Sequence, residues 1–271
     1  MVFEASGPLA AAAQPLLGDA YRVRLTDLRS TEEIVAAGKP QSPSAPLPQL
    51  PGGEHGARRV DVTDYETDYE QVRHACEGMD AVVNCTVLRP HPVLAFHVNP
   101  LGAYHVMKAA VACGIRRVVH TGPLQVLTDQ PDGFAWDFNI PDEAPARPGN
   151  WLYLHSKYLG QEIVRLFAQR YALEVPALLF CGFVDADVPQ SRPRGIHPFT
   201  VSWRDPGHAV ARAVAVHGLP SPFEPLHILA DLPRGKYTNE RAKRVLEWQP
   251  RDTLRDFYTV PPKDARANER A

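Results

Sequence analysis

Short apolar runs alternate with longer stretches of helical periodicity along the 271 residues, and this alternation limits the fold more than any other feature. Strand-like runs occupy 21–26, 81–85, 118–121, 177–181 and 226–229, each short and rich in Val, Ile, Leu or Phe. Between them, 9–17, 69–76, 102–113, 152–171 and 206–217 carry apolar residues at helical spacing, and Gly114 supplies a stop after Cys113. A last helix is expected from Thr238 as N-cap through Leu246, closed by Trp248 and Pro250. Strands separated one by one by helices pair in parallel through right-handed crossovers. The expected fold class is therefore α/β, a doubly wound, Rossmann-like parallel sheet with a small C-terminal part.

Composition narrows the function classes. The chain holds 29 basic and 31 acidic residues, so its net charge of −2 gives no electrostatic reason to bind nucleic acid or an anionic membrane. Its four cysteines form no Cys-x-x-Cys pair, which argues against a zinc ribbon or a disulfide scaffold. No apolar run approaches the roughly 20 residues that span a bilayer, and no cleavable signal opens the chain, so a cytoplasmic location is expected. Five of the 27 prolines fall at 40, 43, 46, 48 and 51, too densely for a helix or an inner strand. Residues 39–57 thus read as an inserted loop within a dinucleotide-binding unit at 1–175. A smaller substrate-binding part at 176–260 and a flexible tail at 261–271 complete the expected organisation.

The strongest local chemistry is Tyr153-Leu154-His155-Ser156-Lys157. Tyr153 and Lys157 lie four apart and share a helix face. Beside a nicotinamide, such an ammonium lowers the phenol's pKa, so that the phenolate can take or return a proton during hydride transfer. Near the N-terminus, Phe3-Glu4-Ala5-Ser6-Gly7-Pro8-Leu9-Ala10 is the candidate phosphate turn, with Gly7, Pro8 and Leu9 opening a helix whose N–H groups cradle a diphosphate. Asp27, followed by Leu28, lies twenty residues beyond Gly7, the spacing of the acid that binds adenosine ribose hydroxyls. Its charge favours NAD over NADP, with Arg29 as the counterweight. The histidines lack metal-ligand spacing with a partner carboxylate, and no metal site is expected.

Taken in order, these motifs resemble the extended short-chain dehydrogenase/reductase family of NAD-dependent epimerases, dehydratases and uronate dehydrogenases. The resemblance rests on Arg22 to Asp27 as second strand, Asp61-Val62 beside the adenine, Asn99-Pro100-Leu101-Gly102 as a helix start, Gly114 to Val119 leading into the next strand, the Tyr153/Lys157 helix, and Trp248-Gln249-Pro250. It implies NAD as cofactor, bound by Gly7, Pro8, Leu9, Asp27, Leu28, Asp61, Val62, Asn84, Cys85, Thr86, Asn99 and Lys157. It also implies a sugar-like small-molecule substrate and a homodimer formed through the helix that carries Tyr153 and Lys157.

The family pattern is broken at three places. Glu4 replaces the first glycine of Gly-x-x-Gly-x-x-Gly, and Ala10 the third. Two like charges about 4 Å apart at an effective dielectric of about 20 repel by roughly 4 kcal/mol, so a carboxylate there opposes a diphosphate. Pro123, with no donor, stands where the family places a catalytic Ser or Thr, which leaves Thr121 as the candidate hydroxyl only if the turn is shifted. Phe180-Cys181 replaces an Arg-Pro pair, leaving Arg192, Arg194 or Arg204 to grip a substrate anion. Two readings follow: an NAD(P)-dependent oxidoreductase or epimerase/dehydratase acting on a sugar or polyol derivative, or a catalytically impaired relative kept for binding or assembly.

Overall fold

Val2 and Phe3 form β1, whose alternating side chains enter two different cores. This computed structural model describes residues 1–37, 45–48, 50, 56–64, 69–89, 91–124, 139–187, 196–233 and 237–258. The elements that follow β1 are α1 (Pro8–Ala20), β2 (Leu25–Asp27), α2 (Thr31–Ala37), β3 (Arg58–Arg59), α3 (Glu70–Cys76) and β4 (Ala81–Asn84). Next come α4 (Pro92–Phe96), a π-helical turn (His97–Leu101), α5 (Gly102–Ala112), β5 (Arg117–Pro123) and α6 (Leu152–Tyr171). The chain continues through β6 (Val175–Phe180), β7 (Gly182–Val184), β8 (Thr200–Ser202), α7 (Arg204–Ala215), β9 (Phe223–His227) and α8 (Glu240–Leu246).

Seven strands form one sheet in the order β3-β2-β1-β4-β5-β6-β9, every pairing parallel, and β7 pairs with β8 apart from it. This is the Rossmann-like α/β fold read from the alternation. Both sheet faces are buried. Val2, Val83, Val119 and Leu178 pack with α1, α7 and α8, whereas Phe3, Val82 and Val118 pack with α3, α5 and α6. The chain order reverses between β1 and β4, so a crevice opens at their carboxyl ends, where α/β sheets bind ligands.

Several boundaries differ from expectation for identifiable reasons. The alternating 21–26 run is a strand only at its end, because two-residue β1 supplies partners to Leu25 and Thr26 alone. β5 runs on to Pro123, since β4 pairs only as far as His120 and only β6 accompanies the rest; the missing N–H is then tolerated. β9 contains Pro225, as an edge strand can, and lies at 223–227 rather than 226–229. Tyr69 adopts φ +63 and stays outside α3. α7 begins two residues before Pro206, because a first-turn residue needs no N–H bond. Asn239, not Thr238, precedes α8, and its amide donates instead to Leu229 O and Asp231. Most of the 39–57 insertion and the 261–271 tail lie outside the described residues. Among the described residues no helix is long and apolar enough to cross a membrane.

Candidate active site

Gly7 caps α1 in an extended conformation and Pro8 occupies the first helical turn, where proline's fixed φ suits helix entry. The turn is tied down from both sides. Gln14 of α1 donates to Ala5 O at 2.8 Å, and Ala5 N donates to Thr26 O at 3.0 Å. Leu9 is partly buried beneath it. Asp27 ends β2, is 7% exposed, and already accepts Ser6 N at 3.0 Å, Ser6 Oγ at 2.6 Å and Arg29 N at 3.1 Å. Leu28, which follows, is exposed.

Glu4 has φ +62, a left-handed conformation that suits glycine. The main chain therefore follows a glycine path although the residue has a side chain. That side chain lies over Gly7: a Cβ added at Gly7 would meet Glu4 Cδ and Cγ at 3.3 Å. Burial raises its pKa well above the usual carboxylate range. Lys157, then Arg89 and the Val87 N–H, pull it back, while Asp27 pushes it further up.

Tyr153 and Lys157 are both buried, at 7% and 5% exposure, on the sheet-facing side of α6. The Lys157 ammonium donates to Thr121 O at 3.1 Å and Thr86 O at 3.3 Å, linking β5 to the turn after β4. Burial lowers its pKa to about 8 against the pull of Glu4 and Cys85. Tyr153 departs from expectation. Burial raises its pKa, and the cation that opposes this is Arg89 rather than Lys157. The Arg89 guanidinium carbon sits 5.6 Å from the Tyr153 ring centroid.

The remaining candidates spread around this core. Asn84 accepts Thr86 N at 3.1 Å and Thr86 Oγ1 at 2.8 Å, a turn that places Cys85 and Thr86 at the crevice floor. Asn99, 3% exposed in the π-helical turn, donates to Ser156 Oγ at 2.8 Å and to Leu88 O at 3.0 Å, and accepts Leu88 N at 3.1 Å. Asp61 closes its own turn on Thr63, and the buried Val62 carbonyl accepts His105 Nδ1 at 2.8 Å. Thr121 lies inside β5, and its hydroxyl donates to Asn84 O at 3.1 Å; its carbonyl, not its hydroxyl, meets Lys157. Arg204 is committed to Asp187 at 2.9 Å and Asp252 at 2.6 Å, while Arg192 and Arg194 lie outside the described residues. Sequence reasoning missed Ser6 and Arg89. A hydroxyl next to the glycine turn was a usable signal for Ser6; nothing in the local sequence marks Arg89.

The residues fit a dinucleotide at both ends: an acid at the end of β2 for one ribose, and a lysine and a phenol beside the other. Between them the backbone of the glycine turn suits a diphosphate, and the Glu4 side chain must turn aside to admit it. Among the described residues no group of three or more His, Cys, Asp or Glu is arranged to hold a metal.

No protein-family model matches the chain. It is 25% identical over 205 residues to an NAD-dependent glucose-6-phosphate dehydrogenase of Haloferax volcanii, covering 70% of this chain and 75% of that protein. Uronate dehydrogenase from Agrobacterium tumefaciens superposes with a TM-score of 0.70 at 20% identity, over 97% of this chain and 90% of that one. Glucuronic acid dehydrogenase from Chromohalobacter salexigens gives a TM-score of 0.71 at 18% identity, over 100% and 88%. The fold is the one these dehydrogenases share, the Rossmann-like α/β fold that the alternation of strands and helices suggested.

Proposed function

We propose that this chain is an NAD-dependent oxidoreductase of the sugar dehydrogenase and epimerase/dehydratase type, acting on a sugar or polyol derivative. The observation that carries the reading is the convergence of Tyr153 and Lys157 on the crevice at the β1/β4 switch point. NAD, when bound, supplies a hydride acceptor. The chain's residues do the rest. The α1 N-terminus and Gly7 hold the diphosphate. Asp27 holds the adenosine ribose, whose hydroxyl takes the place now filled by Ser6 Oγ. Lys157 holds the second ribose, with Thr86 O and Thr121 O fixing its direction. Tyr153 takes the proton of the substrate hydroxyl as its carbon is oxidised, then passes it to solvent. Residues 176–260 provide the substrate side. The nearby relatives named above act on anionic sugars, which makes uronates and sugar phosphates the first compounds to try.

Leu152, Leu159 and Leu166 are 51%, 44% and 56% exposed along one side of α6, an apolar stripe that a second copy would cover. We assign a homodimer to it; sedimentation showing only single chains would remove that assignment.

A second reading, a relative that has lost turnover, draws on Glu4 over Gly7 and on Pro123 without a donor. One experiment separates the two: titrate the full chain with NAD by calorimetry, then follow NADH formation with a panel of uronates and sugar phosphates. Turnover that falls by about 10²- to 10⁴-fold in Tyr153→Phe, with NAD affinity unchanged, supports the enzyme. No binding at millimolar NAD or NADP refutes it.

A further inference from the structure

We propose that Arg89 is a catalytic residue of this site, giving the reacting substrate oxygen the hydrogen-bond donor that the end of β5 lacks. The inference rests on the oxidoreductase reading above and goes beyond it. As a hydroxyl is oxidised or a carbonyl reduced, negative charge gathers on that oxygen, and donors aimed at it lower the barrier. Tyr153 is one such donor. A second would ordinarily come from a hydroxyl at the neighbouring strand end, and the end of β5 has no hydroxyl free to give. Pro123 has no N–H, Leu124 is apolar and buried, and the Thr121 hydroxyl is turned to Asn84 O.

Arg89 lies on the segment that follows β4. Its guanidinium carbon lies over the Tyr153 ring, 5.6 Å from the centroid, and its charge opposes the rise that burial imposes on the phenol pKa. A guanidinium carries five donors in a planar fork, so one can hold the phenol while a neighbouring one reaches an oxygen bound to that same phenol. It also stays charged at every working pH, so it donates throughout the catalytic cycle.

This placement does not depend on the guanidinium alone. The amide of Asn99 clasps Leu88 through both its N–H and its C=O, at 3.1 and 3.0 Å, immediately before Arg89. The same amide donates to Ser156 Oγ, and that hydroxyl donates to Tyr153 O at 2.8 Å. A chain of hydrogen bonds therefore ties the backbone next to Arg89 to the helical turn that carries Tyr153. Arg89 makes and breaks no covalent bond. In the oxidative direction the carbon's hydride leaves to NAD, the hydroxyl proton passes to Tyr153, and the C–O bond becomes C=O while Arg89 stabilises the oxygen between them.

The test uses the full chain with Arg89→Ala and Arg89→Lys. In Arg89→Ala, kcat should drop about 10²- to 10³-fold with NAD affinity within twofold of wild type. Guanidinium ion added to the buffer should restore part of the rate to Arg89→Ala and none to Tyr153→Phe. The limb of the kcat/KM pH profile that reports the phenol should move to higher pH. Lysine, lacking the fork, should recover little. A measurement that needs no turnover runs beside this: the ultraviolet titration of Tyr153, taken as the difference from Tyr153→Phe, should have a higher midpoint in Arg89→Ala. Unchanged kcat, or an unmoved titration midpoint, overturns the inference and leaves the oxidoreductase reading standing. If wild type shows no NAD-linked turnover at all, the oxidoreductase reading falls and the catalytic role falls with it.

Discussion

Replacing Glu4 by glycine should tighten NAD binding, and the size of the effect can be worked from the site. The residue already has a glycine backbone at φ +62, so the change leaves the main chain where it is. What it removes is a side chain lying over Gly7 and a carboxylate directed toward Lys157 and Arg89. One phosphate charge about 4 Å from that carboxylate is repelled by about 4 kcal/mol at an effective dielectric of about 20. Wild type can escape part of this by turning Glu4 to solvent, but gives up the attraction of Lys157 and Arg89 in doing so. A net penalty of about 2–3 kcal/mol remains, equivalent to roughly 30- to 150-fold in Kd. Glu4→Gln keeps the bulk and drops the charge, so it should fall between the two. Because burial raises the Glu4 pKa, acidification neutralises the wild-type carboxyl, and the gap between wild type and Glu4→Gln should narrow as the pH falls. Calorimetric titration of the three proteins with NAD near pH 8 and near pH 6 reads all of this. Equal affinities for the three proteins at both pH values would refute the repulsion argument.

Two further substitutions test the frame around the site. In Gly160→Ala the new methyl would lie 2.6 Å from the Asn99 carbonyl oxygen, a backbone atom that cannot swing away; α6 must shift, and denaturant unfolding should show a loss of about 2–4 kcal/mol, together with a lower kcat because Tyr153 and Lys157 ride on that helix. Asp142→Asn should do the opposite at alkaline pH: burial raises Asp142 from 3.8 to about 6, so its ionised form weakens the fold above that value, by at most about 3 kcal/mol. Asparagine still accepts His227 N through Oδ1, so thermal melts should favour the variant near pH 8 and converge toward pH 4; a gain that is constant with pH would contradict this.

The inner strands were legible because a parallel strand buried on both faces must be apolar throughout, as Val118 and Val119 are. The rim was not. β3 is Arg58-Arg59, exposed and charged, and only its pairing with Thr26 and Asp27 makes it a strand. Likewise β7 and β8 are three residues each and exist because they pair with one another. The site divides in the same way. Tyr153 and Lys157 lie one helical turn apart, so local spacing announces them. Glu4 was visible as a departure from glycine, but the direction of its side chain depends on a lysine far along the chain. Arg89 reaches Tyr153 through Asn99 and Ser156, which are 57 residues apart, a relation that no local pattern records.

Charge explains why these departures belong together. Lys157 and Arg89 put two cations on the crevice, and Glu4 and Asp27 put two carboxylates there. The four sum to zero, Arg29 lies 3.6 Å from Asp27 as a further cation, and Arg89 is exposed to solvent. Each partner also depends on another. Lys157, already lowered to about 8 by burial, would fall further without Glu4, and Tyr153, raised by burial, would rise further without Arg89. A dinucleotide diphosphate brings two more negative charges into this balanced set. It can be accommodated only where Glu4 takes up a proton or moves aside. Glu4 thus opposes the fall that burial imposes on the Lys157 pKa, while its side chain lies over the turn that a diphosphate would enter.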